Sequence, residues 1–333
     1  SAVAEEFSKR TGIKVTINEV GRAGYFASLT TQLGNRSPDT DVAWFLSIDL
    51  PRYVDGGALE RLDTYVDTNL TAPGLDIQDL LGLVTVKDEL YQIPVDISTH
   101  YTYYRTDLID SPPETWDEYF AVAKKFTKAH NPDSPTQYGA VWTAQPPELA
   151  RLFASVLFTH DGDLWDPSKG VLVNQPPVIE AVTRYIDFLE AGVAPIDLLS
   201  WNFNAVKDGL ETGRIAMAAP HWNSAIGQIQ RGNSEFADKI AVAPMPGIRR
   251  PDGSVHRLAY QQSWGLVINS GSKNKEAAWA FVSFLASEEG QKIIIDKVGG
   301  LTPTLKSLLL DPAYEGRPDT KHWRLQYETL QNA

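Results

Sequence analysis

An extended run at residues 91–110 (YQIPVDISTHYTYYRTDLID) restricts the possible folds of this chain more than any other feature of its sequence. The run begins as a short strand at 91–95, where Pro94 limits ladder hydrogen bonding. Polar residues follow at 96–100, and an aromatic segment with strand propensity comes after them. We predict a strand that leaves one folded body, passes a polar cleft and enters a second body.

Strands and helices alternate before this run. The patterns predict a helix over 2–11, a strand over 13–17, a helix over 25–33 and a strand over 42–46. Alternation at these spacings is typical of a mainly parallel sheet whose two faces are covered by helices. The expected fold class is therefore α/β.

The alternation resumes after the run. Thr115 and Glu118 have the spacing of a capping box, which predicts a helix over 116–128. A proline pair at 176–177 opens another helix. We expect four apolar side chains of that helix to face the core: Val178, Val182, Ile186 and Leu189.

Two further interruptions divide the chain. A second extended run at 258–269 again has polar residues in its middle, and Pro303 precedes the C-terminal helices. Three interruptions predict three crossings between two discontinuous lobes, although a single large doubly wound sheet would give a similar pattern. The predicted lobes are 1–104 with 262–303 and 105–261 with 304–333, and the predicted hinges lie near 104–108, 258–264 and 302–306.

The length and the charge of the chain narrow its function. At 333 residues it exceeds the roughly 250–300 residues at which a single core stops growing. Its formal net charge of −12 is opposite in sign to a nucleic-acid-binding surface, so no nucleic-acid partner is expected. The absence of cysteine excludes disulfides and thiolate chemistry. If the protein is exported, we expect its signal segment to have been removed before residue 1.

Sequence signatures of catalysis are missing. The sequence has no G-x-S-x-G nucleophile motif, no H-E-x-x-H motif among its six histidines and no glycine-rich phosphate loop of standard form. A carboxylate pair for glycoside hydrolysis is defined by a spatial separation, which no sequence spacing marks. We therefore predict a protein that is not an enzyme, with no catalytic residues, no metal and no cofactor.

Five segments occur in an order that carries a family resemblance. They are AEEFSKRTGIKVTI at 4–17, LYQIPVDISTHYTYYRTDLID at 90–110, PPETWDEYFAVAKKF at 112–126, GRIAMAAPHWNSAI at 213–226 and SWGLVINSGSKNKEAAWAFVSFLASEEGQ at 263–291. Together they resemble the extracellular solute-binding proteins of ABC importers, in the sugar-binding group that includes maltose-binding protein. Each motif alone is weak to moderate, and it is their order across most of the chain that makes the resemblance specific.

The resemblance implies a two-lobed type II periplasmic-binding-protein fold with a multi-strand hinge. It implies a sugar or oligosaccharide ligand held between the lobes, transmembrane permease subunits as partners and an extracytoplasmic location; we expect a monomer. The family's first strand would precede residue 1, and the C-terminal helices end early at residue 333. We expect both ends to be trimmed, because a sheet without its first strand would expose an unsatisfied edge.

Tryptophans at strand ends are candidates for stacking on the apolar face of a sugar. Trp44, Trp142 and Trp264 occupy such positions, where the ligands of open α/β sheets gather. Trp44 lies with Asp49 in WFLSID, which resembles a family loop whose tryptophan and acid touch sugar; the alternative is that Trp44 packs in the core. The loop that holds the family's stacking tryptophan contains His221, Trp222 and Asn223 here.

Polar groups beside these tryptophans are candidates for contact with sugar hydroxyls. Asp96 lies in the first crossing strand, where a buried carboxylate needs a partner. His100 in the same stretch would contact the ligand or make a hinge hydrogen bond. Glu19 and Arg22 would either recognise hydroxyls or remain solvated loop charges. The full predicted ligand-binding set is Trp222, Trp264, Asp96, Trp44, Trp142, His221, Asn223, Asp49, Glu19, Arg22, His100 and Gln262.

Two other functions remain open at this point. A polyol phosphate would need several cationic side chains, and only Arg22 and Arg105 lie near candidate positions. A glycoside-cleaving enzyme would release product from an oligosaccharide, whereas a binding protein would return the sugar intact.

Overall fold

The computed structural model of the protein describes residues 2–146, 148–299 and 301–331, without the side chains of Arg22 and Ala23. Its helices are α1 Ala2–Thr11, α2 Arg22–Gly34, α3 Leu50–Asp55, α4 Asp63–Val66, α5 Trp116–Lys125, α6 Glu148–Thr159, α7 Pro176–Glu190, α8 Phe203–Glu211, α9 Ser224–Arg231, α10 Lys275–Ala286, α11 Glu288–Ile293, α12 Lys306–Leu309, α13 Pro312–Glu315 and α14 Trp323–Leu330. Within the described residues, no helix is both long enough and apolar enough to cross a membrane.

The strands are mostly short, and several form isolated two-stranded hairpins. They are β1 Val42–Leu46, β2 Thr85–Val86, β3 Glu89–Leu90, β4 Ile93–Ser98, β5 His100–Arg105, β6 Tyr138–Val141, β7 Trp165–Asp166, β8 Gly170–Val171, β9 Ile215–Trp222, β10 Ile240–Ala243, β11 Ile248–Arg249, β12 Val255–His256 and β13 Gln262–Ile268.

The chain forms two compact units, each built from two separate stretches. Unit 1 comprises Ser1–Ser98 and Gln262–Pro312, and unit 2 comprises Thr99–Gln261 and Ala313–Ala333. The stretches of the two units therefore alternate along the sequence, and the chain passes from one unit to the other three times.

Two of these boundaries differ from the predicted positions at 104 and 303. The first lies earlier because β5, which follows Thr99, pairs with β9 and β10 of unit 2. The third lies later because Thr304 bonds to Gln291 and to the carbonyl of Pro94, both in unit 1.

Unit 1 contains a three-stranded sheet with the order β1-β13-β4. Helices α2 and α3 pack Leu33 and Leu50 against Phe45 and Val267 of this sheet. A second apolar cluster joins Phe7 of α1 to the aromatic side chains of α10. The sheet is thus fastened to helices that come from distant parts of the sequence.

Unit 2 contains a four-stranded sheet with the order β10-β5-β9-β6. Its central strand β9 is buried along its whole length. The core around the sheet includes Tyr101 and Tyr103 of β5, Trp116 of α5 and Met217 of β9. This sheet holds the ends of β5 and β9 next to each other, which matters for the site below.

The α/β class agrees with the prediction, but the expected mainly parallel pairing is wrong. Both pairings in the three-stranded sheet of unit 1 are antiparallel, and in the unit 2 sheet β6 and β9 are the one parallel pair among the described strands. In each sheet a strand at a crossing, β13 or β5, lies between two others and is antiparallel to both. Such a strand needs no helical crossover from its neighbour, so the rule for parallel βαβ units does not apply to it.

Residues 13–17, predicted as a strand, form neither a helix nor a strand. Their alternation is nevertheless used in packing, because Ile13 and Val15 lie against the cluster that contains Phe7. Strand formation also requires a backbone partner, and no described strand pairs with this stretch.

The two predicted helices after the first crossing differ in outcome. The capping box is confirmed: Thr115 Oγ1 accepts from the Glu118 N–H, and the Glu118 carboxylate accepts from the Thr115 N–H. For α7, the prediction of which residues face the core is wrong except at Val178. The buried face consists of Val178, Ala181 and Phe188, whereas a stripe displaced by one residue is 42–53% exposed, namely Ile179, Val182, Ile186 and Leu189.

Candidate functional site

The pairing of β1 with β13 brings two of the predicted tryptophans together in unit 1. Trp44 is opposite Leu266 and Trp264 is opposite Leu46, so the two indoles are diagonal neighbours on one face of the sheet. Their rings stack, with centroids 6.2 Å apart and planes 19° apart. Phe26 of α2 adds a third ring 6.3 Å from that of Trp264. We call Phe26, Trp44 and Trp264 the unit 1 aromatic patch.

The unit 1 aromatic patch is accessible to solvent. Phe26 is 39% exposed, and both tryptophans are partly exposed. Tyr25 ties α2, which carries Phe26, to β1, because its hydroxyl donates to the backbone carbonyl oxygen of Trp44. The patch therefore presents a held aromatic plane instead of a buried core contact.

Asp96, opposite Trp264 in the sheet register, is buried and serves the backbone. Its Oδ1 accepts from the N–H of Thr302 at 2.8 Å. Burial raises the pKa of Asp96 to about 6, against hydrogen bonds from Thr302, Ile97 and Ser98 that lower it. The carboxyl therefore holds the segment before the third crossing to β4.

The other predicted residues of unit 1 belong to neither ring group. Asp49 is half-buried at the start of α3, Glu19 is exposed, and Gln262 is buried opposite Ser98. The side chain of Arg22 lies outside the described residues. Gln262 lies two residues before Trp264 on β13, and Asp49 follows β1 within one short turn.

In unit 2, the ends of β5 and β9 bring a second ring group together. His100 is opposite Trp222, with ring centroids 4.3 Å apart and planes at 68°. Tyr260 stacks on His100 at 5.7 Å and 20°, and it meets Trp222 edge-on at 6.3 Å. We call His100, Trp222 and Tyr260 the unit 2 ring cluster.

Ser155 of α6 anchors this cluster through two contacts. Its Oγ accepts from the backbone N–H of Tyr260 at 2.7 Å and lies 2.7 Å from Nδ1 of His100. The serine hydroxyl thus joins the Tyr260 backbone to the His100 ring.

Three buried polar atoms beside the ring cluster have no hydrogen-bond partner among the described residues. They are Nε2 of His100, Nε2 of His221 and Oγ1 of Thr99. Buried polar atoms are normally satisfied, so such a group indicates a place where a polar ligand or water binds. The sequence predicted both histidines and did not single out Thr99.

Both histidines are held neutral. Burial lowers the pKa of His100 to about 3, with a smaller effect of His221 in the same direction. Burial also lowers the pKa of His221 to about 3, with a smaller effect of Lys207. His221 stacks on Phe203 at 5.2 Å, and its Nδ1 lies 3.4 Å from Thr143 Oγ1. Both imidazoles are therefore fully buried and neutral.

Asn223 fastens the two strand ends. Its N–H donates to the Thr99 carbonyl at 3.0 Å, and its Oδ1 accepts from the Thr99 N–H at 3.1 Å. Asn223 is thus engaged with the backbone immediately before His100. Asn223 thus holds the backbone beside the rings, and its predicted contact with ligand stays a prediction.

Trp142, predicted to touch ligand, lies in the core of unit 2. It is 2% exposed, its ring stacks on Tyr185 at 4.5 Å and 8°, and Phe188 meets it edge-on at 5.9 Å. An indole packed in this way has no free face. The end of a buried strand is equally suited to a core residue, which is why its position alone was misleading.

Three contributors were not predicted. Tyr260 was overlooked although it precedes Gln262 and Trp264 in the same extended run, and that alternation is a usable signal. Phe26 resembles any apolar residue of an amphipathic helix, and Ser155 is an isolated serine. Neither carries a sequence signal for a site.

The described residues show no metal centre. No three His, Asp or Glu side chains among them lie where they could hold a metal ion together. What they do provide is a partly exposed aromatic plane in unit 1 and neutral hydrogen-bonding groups among rings in unit 2. Considered unit by unit, the aromatic plane suits the apolar face of a ligand, and the neutral imidazoles suit uncharged hydroxyls.

Comparison with family models gives one match that covers most of the chain. A model described as "Bacterial extracellular solute-binding protein" matches residues 1–292. The match spans both stretches of unit 1 except its last residues.

Two curated relatives are similar at low identity. A probable amino-acid ABC transporter periplasmic-binding protein of Sinorhizobium fredii is 24% identical over 330 residues, which is 94% of this chain and 70% of the relative. A maltotriose-binding protein of Pyrococcus abyssi is 23% identical over 271 residues, which is 80% of this chain and 55% of the relative. This chain thus spans only about half the length of the second relative.

Solved structures of similar fold cover nearly the whole chain. Maltose-bound MalE3 of T. maritima has a TM-score of 0.83 and 25% identity, covering 99% of this chain and 83% of its own. A solute-binding protein of Agrobacterium radiobacter K84 in complex with ribitol has a TM-score of 0.85 and 22% identity, covering 99% and 82%. These neighbours are type II periplasmic binding proteins, which confirms the predicted fold class.

Proposed function

Because this chain belongs to the bacterial extracellular solute-binding protein family, we propose that it captures a neutral carbohydrate for an ABC importer. The observation that carries the proposal is the stacked pair in the unit 1 aromatic patch, Trp44 and Trp264. Parallel indoles that remain partly exposed offer a plane for the apolar face of a sugar.

The unit 2 ring cluster supplies the polar half of the proposed recognition. Nε2 of His100 and Nε2 of His221 are neutral and without partners among the described residues. Neutral imidazole atoms bond hydroxyl groups without the cost of burying a charge. We assign ligand contact to Trp44, Trp264, Asp49, Trp222, His100 and His221, while contact by Glu19, Arg22 and Gln262 remains a prediction.

Ligands of similar proteins support a neutral polyhydroxylated compound. The solved neighbours are bound to maltose and to ribitol, and the Pyrococcus abyssi relative is a maltotriose-binding protein. The Sinorhizobium fredii relative is instead a probable amino-acid transporter component, so amino acids form the contrasting ligand class.

Charged solutes such as polyol phosphates fit these groups less well. A phosphate is recognised by cationic, often bidentate, donors. Arg105, one of the two predicted candidates, already bonds Asp107 through Nε at 2.6 Å and lies over the ring of Phe236. Its guanidinium is therefore occupied by a structural pair.

We further propose that capture proceeds by hinge closure at the three crossings, 98/99, 261/262 and 312/313. A ligand that contacts both units has more contacts in a closed form, and only such differential affinity shifts the equilibrium. The closed, monomeric protein would then dock on the transmembrane permease outside the cytoplasm and release the solute unchanged, without catalysis.

Thermal-shift screening tests the ligand class. The panel contains maltose, maltotriose, ribitol, mannitol, glycerol 3-phosphate, ribitol 5-phosphate and the common amino acids. A ligand at 100 times its Kd stabilises the fold by about 2.7 kcal/mol, so a true ligand gives a clear rise in Tm. Stabilisation by the phosphates or the amino acids alone would overturn the carbohydrate assignment.

Small-angle X-ray scattering tests the closure. We expect the radius of gyration to fall when the stabilising sugar is added at saturation. If a sugar that binds in the thermal-shift screen leaves the radius of gyration unchanged, hinge closure is the wrong mechanism.

A further inference from the structure

Helix α14 contributes one polar side chain to the interior of unit 2. Gln326 is fully buried there. Its Oε1 accepts from Nδ2 of Asn223 at 2.8 Å and from the hydroxyl of Tyr101 at 3.1 Å. We propose that Gln326 is a positioning residue for the unit 2 ring cluster and that the C-terminal helix thereby sets ligand affinity; this rests on the proposed function.

The bonds from Gln326 lead directly to the rings. Because Asn223 directs Nδ2 to Gln326, its Oδ1 is turned toward the N–H of Thr99. Thr99 precedes His100, and Asn223 follows Trp222. The two backbone positions next to the ring pair are therefore joined through one amide, whose orientation Gln326 supports from the Nδ2 side.

A second set of bonds shows how tightly this loop is held. The hydroxyl of Tyr103 donates toward the carbonyl oxygens of Trp222 and Asn223, at 2.7 and 3.2 Å, and accepts from the Ile226 N–H. These bonds fix the backbone after β9 and leave the Asn223 side chain to be oriented by its own partners. The Gln326 acceptor at Nδ2 and the Thr99 N–H at Oδ1 both favour the same orientation of this amide.

Three variants distinguish a positioning role of the Gln326 oxygen from a contribution of the helix to packing alone. Gln326→Met preserves the shape of the side chain but removes the acceptor shared by Asn223 and Tyr101. Gln326→Glu preserves an oxygen at the same place, so it can accept from both donors. Leu330→Ala, on the same helix and also buried, removes packing without touching these bonds.

The test compares the three variants in two measurements. Calorimetry measures the Kd for maltotriose and for ribitol, and ¹⁵N NMR without ligand follows the indole of Trp222 and the ring nitrogens of His100. We expect Gln326→Met to weaken binding about tenfold, since an unmade buried hydrogen bond costs about 1–3 kcal/mol. Gln326→Glu should restore most of the affinity, and Leu330→Ala should bind like the wild type despite its lower Tm.

Opposite results identify which idea fails. Wild-type affinity in Gln326→Met, or an equal loss in Leu330→Ala, would show that Gln326 has no positioning role. If the wild type binds neither sugar nor polyol, the proposed function fails while the NMR comparison still decides the positioning. In that case, Trp222 and His100 resonances that shift in Gln326→Met and stay in place in Leu330→Ala support the inference, and unshifted resonances reject it.

Discussion

The indoles of Trp44 and Trp264 lie 6.2 Å apart and nearly parallel, although one belongs to β1 and the other to β13, from the second stretch of unit 1. Their neighbourhood is set by the antiparallel register between these strands, in which Trp44 faces Leu266 and Leu46 faces Trp264. The plane offered to a ligand is thus a property of the backbone pairing. If β1 slipped by one residue along β13, the two rings would lie on opposite faces of the sheet.

Loss of one indole should weaken binding more than it affects folding. Trp264→Ala removes a partly exposed ring from the unit 1 aromatic patch. An aromatic pair contributes about 0.5–1.5 kcal/mol beyond the effect of its buried surface area. The variant also removes the ring on which the sugar stacks. We therefore expect the Kd to rise about tenfold or more. Calorimetry with the best sugar of the panel measures this change.

Trp165→Ala is the matched control. This indole is 58% exposed in the β7–β8 hairpin of unit 2 and belongs to neither ring group. Its loss should leave the Kd unchanged. Equal losses of affinity in both variants would mean that the unit 1 aromatic patch has no special role.

Trp142 should behave as a core residue. It stacks on Tyr185 and meets Phe188 edge-on, so Trp142→Ala should lower the free energy of unfolding by about 3–5 kcal/mol. Urea denaturation measures this loss. Trp142→Phe keeps an aromatic ring and should retain the wild-type Kd; a selective loss of sugar affinity in that variant would restore the original prediction of ligand contact.

The outcome for α7 shows where sequence reasoning reached its limit in the fold. The capping box of α5 could be predicted because its hydrogen bonds join residues three apart. Helix α7 carries two apolar stripes displaced by one residue, and periodicity does not say which of them the core covers. Long-range pairing decided the sheets as well, since β5 and β13 each lie between strands distant in sequence.

The raised pKa of Asp96 has a consequence for stability. Its pKa is about 6 in the folded protein against 3.8 for the ordinary carboxyl, so the folded state binds more protons between these values. The contribution of Asp96 to the free energy of unfolding is therefore greatest below about pH 4 and is lost as the pH rises through 6. Between pH 4.5 and 7.5 we expect a loss of about 2 kcal/mol from this group.

Asp96→Asn isolates this contribution from all other titrating groups. The amide oxygen can still accept from Thr302, and the charge is absent at every pH. Urea denaturation of both proteins should show the wild type gaining relative to the variant as the pH falls from 7.5 to 4.5. A difference between the two that stays constant with pH would contradict the burial of an ionisable carboxyl at this position.

The buried histidines should give the free energy of unfolding the opposite pH dependence. With the pKa of His100 and His221 lowered to about 3, the unfolded chain, where histidine titrates near 6.5, binds more protons in acid. The stability they contribute is complete above pH 6.5 and declines as the pH falls toward 3. NMR of the ring protons should show both residues neutral at pH 5.

The urea-unfolded protein provides the control for this titration. All of its histidines should titrate near pH 6.5. A midpoint near that value for His100 or His221 in the folded protein would mean that the rings are hydrated, and the proposed neutral contacts to hydroxyls would lose their basis.

The site was partly predictable for the same reason as the fold. Strand ends and an extended polar run led to the prediction of Trp44, Trp222, Trp264 and both histidines, and the structure places them in or beside the two ring groups; their contact with ligand stays a prediction. Composition could not separate Trp142, which the core encloses, from Trp264, which stays partly exposed. Ser155 and Gln326 act through contacts between elements distant in sequence, and no local sequence pattern predicts such contacts.

Titration calorimetry of the wild-type protein with the neutral sugars and polyols, followed by mass analysis of the recovered ligand, decides whether the protein is a carbohydrate-binding protein. We expect at least one of these compounds to bind with one-to-one stoichiometry and to be recovered chemically unchanged. Binding confined to phosphorylated polyols or amino acids, or recovery of shortened oligosaccharides, would contradict it.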